Sequence, residues 1–241
     1  MKQYDPNKPL ISIHIPKCGG TSFSEVLKRW FGRGYLEHYH DERRNKHPQR
    51  YNLFQDPRRK IYIPNLCIHG HFNNDRGNGA EQYYPSVNQY ITIIRDPFEL
   101  HLSSYFFRKR REKEHAGSVY WAGKPHPIIA NNWTLADYLR ENRKSDLLSF
   151  FPADISAANY QKILEERYLY IGLTQDLQGA VNQLAHILGY PPLPISLKNV
   201  SEREEPVPDG AREVFAENNP LEMLIYEYAV NQCKQSASRL H

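Results

Sequence analysis

Apolar and polar positions alternate through "LISIHI" (10–15), with Ile11, Ile13 and Ile15 on one side, and the run stops at Pro16. That is the pattern of a buried strand. From Thr21 or Ser22 to Phe31 the period changes: Phe23, Val26, Leu27 and Trp30 recur at helical spacing, and Gly32 supplies a stop. The unit reads strand, glycine turn, helix. A basic, histidine-rich connection follows, with short strand signals in "KIYIP" and "LCIHGHF". "YITIIRDP" (90–97) is the clearest second strand. Asp96-Pro97 then opens a helix over about 97–113, because Asp accepts amide hydrogens as a cap and proline is pre-shaped for the first helical position.

Further on, the Gly/Pro/Asn-rich stretch 115–132 reads as a long loop, and Thr134 caps a helix running to Asn142. Another helix is expected over about 156–166. "YLYIGL" (168–173) is a third good strand, and 174–189 is an amphipathic helix stopped by Gly189 and prolines. Two helices, about 209–217 and 220–235, follow a polar loop. Strands alternating with helices predict an α/β fold with a central parallel sheet covered on both faces. With no repeat or composition break in 241 residues, residues 1–241 are expected to form a single domain.

Composition narrows the picture. Apolar runs reach about five residues, far short of the roughly 20 needed to cross a bilayer, so no membrane span is expected. "MKQYDPNKPL" lacks the apolar core of a signal peptide, and three widely spaced cysteines suit a reducing compartment; a cytoplasmic chain is expected. The net charge of +4 favours an anionic ligand and is too small to argue for nucleic acid. Positive charge gathers in 41–50, 57–60 and 108–113, each of which is equally well a solvated face.

The candidate chemistry begins at "HIPKCGGTSF". A glycine turn between strand and helix places main-chain N–H groups and the positive helix end at one point, which is an anion site. Gly19 and Gly20 admit close approach of the main chain, Thr21 and Ser22 add hydroxyls, and Lys17 adds a mobile charge. The nucleoside-triphosphate form of such a loop, G-x-x-x-x-G-K-[ST], is absent: Lys17 precedes the glycines, and no strand ends in a magnesium-binding Asp.

The order Lys-x-Gly-Gly-Thr-Ser after an apolar strand resembles the phosphosulfate loop of sulfotransferases that use 3′-phosphoadenosine 5′-phosphosulfate (PAPS), especially the branch with the heparan sulfate 2-O- and 6-O-sulfotransferases and their bacterial relatives. A second match is "IIRDPFELHLSSYF", where Arg95 ends a strand and Ser103 follows in the next helix, resembling the family's 3′-phosphate motif. The resemblance implies a P-loop-like three-layer fold. It also implies PAPS binding by Lys17, Cys18 (through its amide), Gly19, Gly20, Thr21, Ser22, Arg95 and Ser103. In "LKNVSERE", Lys198, Ser201 and Arg203 sit where such enzymes return a loop over the nucleotide; a solvated linker fits them equally.

Transfer to an alcohol requires a base, and histidine suits it. His69 and His71 fall at a strand end between the two motifs, where the resembling enzymes carry their base. His71 is the favoured base, with His69 as its support or substitute. A strand running through both would point both to one side, whereas Gly70 can instead mark a bend. His-x-His lacks a nearby third ligand, so no metal site is expected. Lys17 would stabilise charge on the bridging oxygen.

The expected acceptor bears a hydroxyl and is a glycan, glycolipid or small metabolite; an anionic glycan would suit the basic stretches. Tyr83, Tyr84, Trp121 and Trp133 could stack on it, or serve as core. Two alternatives remain open at this level: a P-loop kinase dependent on magnesium, and a non-catalytic binder of anionic ligands.

Overall fold

The computed structural model describes residues 2–41, 46–51, 53, 65–121, 124–196 and 203–238. Five parallel strands form the central sheet in the order β2-β3-β1-β4-β7, namely β1 (Leu10–Ile13), β2 (Tyr35–His38), β3 (Cys67–Gly70), β4 (Tyr90–Ile94) and β7 (Tyr168–Leu173). The helices are α1 (Gly20–Phe31), α2 (Ala80–Tyr83), α3 (Pro97–Glu114), α4 (Pro127–Ala130), α5 (Leu135–Glu141), α6 (Tyr160–Arg167), α7 (Leu177–Leu188), α8 (Ala211–Asn218) and α9 (Pro220–Ser238). Two short strands, β5 (Tyr120–Trp121) and β6 (Lys124–Pro125), pair separately and antiparallel.

The expected α/β, P-loop-like three-layer architecture is what the chain adopts. Every residue of β1, β3, β4 and β7 is buried, as strands covered on both faces must be. One face packs on α1 and α7, through Phe23, Val26, Leu27, Val181 and Leu184. The other packs on α6 and α9, through Leu164, Ile225 and Ala229. Alternation along β1 decides which is which: Leu10 joins the α1 side while Ile11 and Ile13 join the opposite core. A third cluster holds α3 against α4, α5 and α8, with Leu102, Tyr105, Tyr138 and Phe215 at its centre.

Strand β2 is absent from the sequence reading. It sits at the sheet edge with only His38 buried, so its side chains carry no clear alternation. The signal at "KIYIP" lies outside the described residues. The expected helix 174–189 begins later, because Thr174–Asp176 form a 3₁₀ turn and Asp176 caps α7 by accepting from Gly179 N. The stretch 115–132 is only partly a loop, since it contains the short ladder and α4. Among the described residues no helix is long and apolar enough to cross a membrane.

Candidate active site

Central strand β1 has β3 on one side and β4 on the other. The chain leaves the carboxyl ends of these three neighbours at residues 14, 71 and 95, where open α/β sheets hold ligands. The loop after β1 has a backbone shape able to hold an anion. Lys17 and Gly19 both take left-handed backbone angles, φ 68° and φ 74°. Glycine accepts this freely, whereas for lysine it costs about 1–2 kcal/mol. Such strain is a common mark of a functional loop. Among the described residues no side chain caps α1, and the first main-chain bond into it runs from Phe23 N to Gly19 O. The first-turn amides of Gly20, Thr21 and Ser22 are thus left for an incoming anion. Gly20 is required by packing: a Cβ there would lie 1.8 Å from Nε2 of His14. Thr21 is exposed and Ser22 is buried.

The Lys17 ammonium lies 4.1 Å from the centre of the Phe107 ring, a cation–π contact. Burial, with Arg110 and Arg95 close by, pushes its pKa down to about 8. Cys18 is buried, and burial pushes its thiol up to about 12, so it is no nucleophile. Arg95 follows β4 and reaches Glu99 at 3.4 Å. Arg203 meets the same Glu99 carboxylate, so the segment resuming at 203 returns to the start of α3. Arg212 adds a two-pronged pair with Asp96. Ser103 is buried on α3, and among the described residues no hydrogen bond joins it to Arg95. Lys198 and Ser201 lie outside the described residues.

Strand β3 ends at Gly70, so it does not run through both histidines, although both rings reach His14. His69 is fully buried on the α1 side, with Nδ1 at 2.9 Å from Ser12 Oγ. Burial, then His14 and His71, hold its pKa well below the ordinary value. His71 lines a cavity of about 330 Å³ beside Ile15 and Pro16 of the loop. Its Nε2 is buried with no hydrogen-bond partner among the described residues, and burial, followed by His14 and Arg76, pushes its pKa down to about 3. At neutral pH it is an uncharged imidazole, the form able to take a proton.

The sequence reading gave His14 no role beyond its strand, yet it joins these pieces. Its ring stacks on His69 at 5.2 Å between centroids, meets His71 edge-on at 4.5 Å and abuts Gly20. Its Nδ1 shares a 2.9 Å hydrogen bond with the Tyr39 hydroxyl. The signal for it was alternation, since residues 10, 12 and 14 share one side of β1. Tyr39 had no such signal, because β2 was not foreseen. Tyr84 is core, while Tyr83 sets its ring edge-on to His38. Among the described residues, no group of three or more His, Cys, Asp or Glu side chains is arranged to hold a metal ion.

A sequence model described as the sulfotransferase family matches residues 3–212. That span takes in β1 through α7 and the segment returning to α3, and the chain belongs to the sulfotransferase family. It is thus a transferase of sulfuryl groups to hydroxyl-bearing acceptors, in a family that generally draws the group from PAPS. A comparison with curated proteins finds none that matches.

Proposed function

We propose that the chain moves the sulfuryl group of PAPS to an acceptor hydroxyl by in-line transfer, with His71 as general base. One observation carries this reading: a glycine loop opening a helix, an arginine and a neutral histidine follow the carboxyl ends of three adjacent strands. PAPS supplies an activated sulfuryl group whose departure leaves negative charge on a phosphate oxygen. The amides of Gly20, Thr21 and Ser22, the Cys18 and Gly19 backbone and the Lys17 ammonium receive that charge. Lys17 starts from the Phe107 ring and needs only side-chain rotation to move. Arg95, with Arg203, takes the 3′-phosphate by sharing or releasing Glu99, and Ser103, Lys198 and Ser201 complete that side.

His71 removes the acceptor proton, and its Nε2, without a hydrogen-bond partner among the described residues, is the atom for the task. His69, tied to Ser12, holds its place behind His14 as a support. We read residues 1–241 as one domain working in a reducing, cytoplasmic setting, its three cysteines kept as thiols. The deciding experiment is calorimetric titration of 3′,5′-ADP, 5′-ADP and ATP, with and without magnesium, into wild type and Arg95→Ala. Metal-independent preference for 3′,5′-ADP that disappears in Arg95→Ala is expected. Preference for ATP with magnesium would overturn the reading.

A further inference from the structure

Glu205 differs from the exposed charges around it. Its carboxylate is partly buried and both oxygens are engaged: Oε1 accepts from the Tyr105 hydroxyl at 2.5 Å, and Oε2 accepts from the Leu135 main-chain N–H at 2.8 Å. Charge-assisted bonds of this kind are roughly twice as strong as neutral ones. Two residues on, Val207 packs against the cluster that contains Leu102, Tyr105 and Phe215. By contrast, the neighbouring Lys113–Glu204 pair is exposed, at 3.7 Å, and holds little.

Neither bond is needed by the helix it touches. Thr134 and Asp137 already cap α5 reciprocally, the Thr134 hydroxyl accepting from Asp137 N and the Asp137 carboxylate from Thr134 N. The single proton of the Tyr105 hydroxyl has a second acceptor in Trp133 O, at 3.1 Å. What Glu205 fixes is therefore its own segment. Two residues before it, Arg203 reaches the Glu99 carboxylate that Arg95 also meets. Two residues of chain span at most about 7 Å, and Glu99 lies about 9 Å along α3 from Tyr105. A Glu205 held at Tyr105 thus keeps Arg203 within side-chain reach of the start of the helix.

We infer that Glu205 is a positioning residue for the nucleotide: its two hydrogen bonds hold Arg203 beside Arg95, so that both guanidinium groups are in place before the 3′-phosphate arrives. The inference rests on the sulfuryl-transfer reading above. Preorganisation of this kind lowers the cost of binding. It acts on the 3′-phosphate alone, because the first-turn amides of α1 proposed for the other phosphate belong to a separate segment.

Calorimetric titration of 3′,5′-ADP and 5′-ADP into wild type, Glu205→Ala, Arg203→Ala and the double variant is the test. Glu205→Ala should bind 3′,5′-ADP about tenfold more weakly, the worth of one charge-assisted contact, with 5′-ADP affinity as in wild type. The double variant should lose no more than Arg203→Ala alone, because both changes remove the same contact. A merely structural glutamate would weaken both nucleotides alike. Unchanged 3′,5′-ADP affinity in Glu205→Ala, an equal loss for 5′-ADP, or losses that add in the double variant overturns the inference. Should Glu205→Ala not fold, Glu205→Gln, which keeps the shape and gives up the charge, carries the same comparison. Wild type that binds 3′,5′-ADP no tighter than 5′-ADP would sink the sulfuryl-transfer reading itself, and the inference with it.

Discussion

Lys17 sits in a left-handed backbone conformation with its ammonium over Phe107 and its pKa held near 8 by burial and two arginines. An anion in the cradle reverses those pressures and raises the pKa toward the ordinary lysine value. Binding of 3′,5′-ADP at pH 8.5 should therefore take up about three-quarters of a proton, and affinity should fall as pH rises above about 8. Calorimetry in two buffers of different ionisation heat measures the uptake; uptake that persists in Lys17→Met would assign it to another group. His71→Ala should lower kcat by about 10²–10⁴ while the dissociation constant of 3′,5′-ADP stays near wild type. A variant with normal turnover, alongside an inactive His69→Ala, would reverse the assignment of the base.

At the scale of elements, the start of α3 concentrates several duties. Asp96 accepts from Glu99 N at 3.0 Å as the cap and pairs with Arg212, while the preceding residue is Arg95. Asp96→Ala should cost about 1–2 kcal/mol, mostly through the lost cap, read as a lower urea midpoint, and should also weaken 3′,5′-ADP binding by loosening Arg95. Asp96→Asn keeps a capping oxygen and should recover most of the stability; failure to do so would place the loss in the Arg212 pair. The helix was legible as a helix from Asp96-Pro97. That its Phe107 comes to lie under the Lys17 ammonium was not, because spacing along α3 says which residues share a side and nothing about what that side meets.

Across the whole molecule, buried neutral histidines tie stability to pH. His38, His69 and His101 are buried. Burial lowers the pKa of His38 and His101 to about 4 and holds that of His69 well below its ordinary value. The unfolded chain protonates these rings near pH 6.5 while the folded chain does not, so the stability they contribute is present above about 6.5 and is lost as pH falls. Each contributes up to about 1.4 kcal/mol per pH unit over that window. Tm should fall by on the order of 10 °C between pH 7 and pH 5, a scan by calorimetry deciding it. A flat profile would mean these rings are protonated in the fold.

What the chain determines by itself is local. The strand at 10–15, the glycine turn, the cap at Asp96 and the strand at 168–173 rest on periodicity and on backbone preferences that neighbouring residues alone impose. The loop of Lys17 through Ser22 was legible as the turn between strand and helix for the same reason, since it is one short stretch. Only the tertiary structure decided that β1 lies between β3 and β4, because strand order follows from how the helices cover the sheet. That order sets His14 against both His69 and His71. Strand β3 ends at Gly70, with His71 beside the cavity and His69 in the core, and the fold of Arg203 back onto Glu99 joined segments about a hundred residues apart. Contacts of that reach depend on packing across the sheet, which no pattern within a single element encodes.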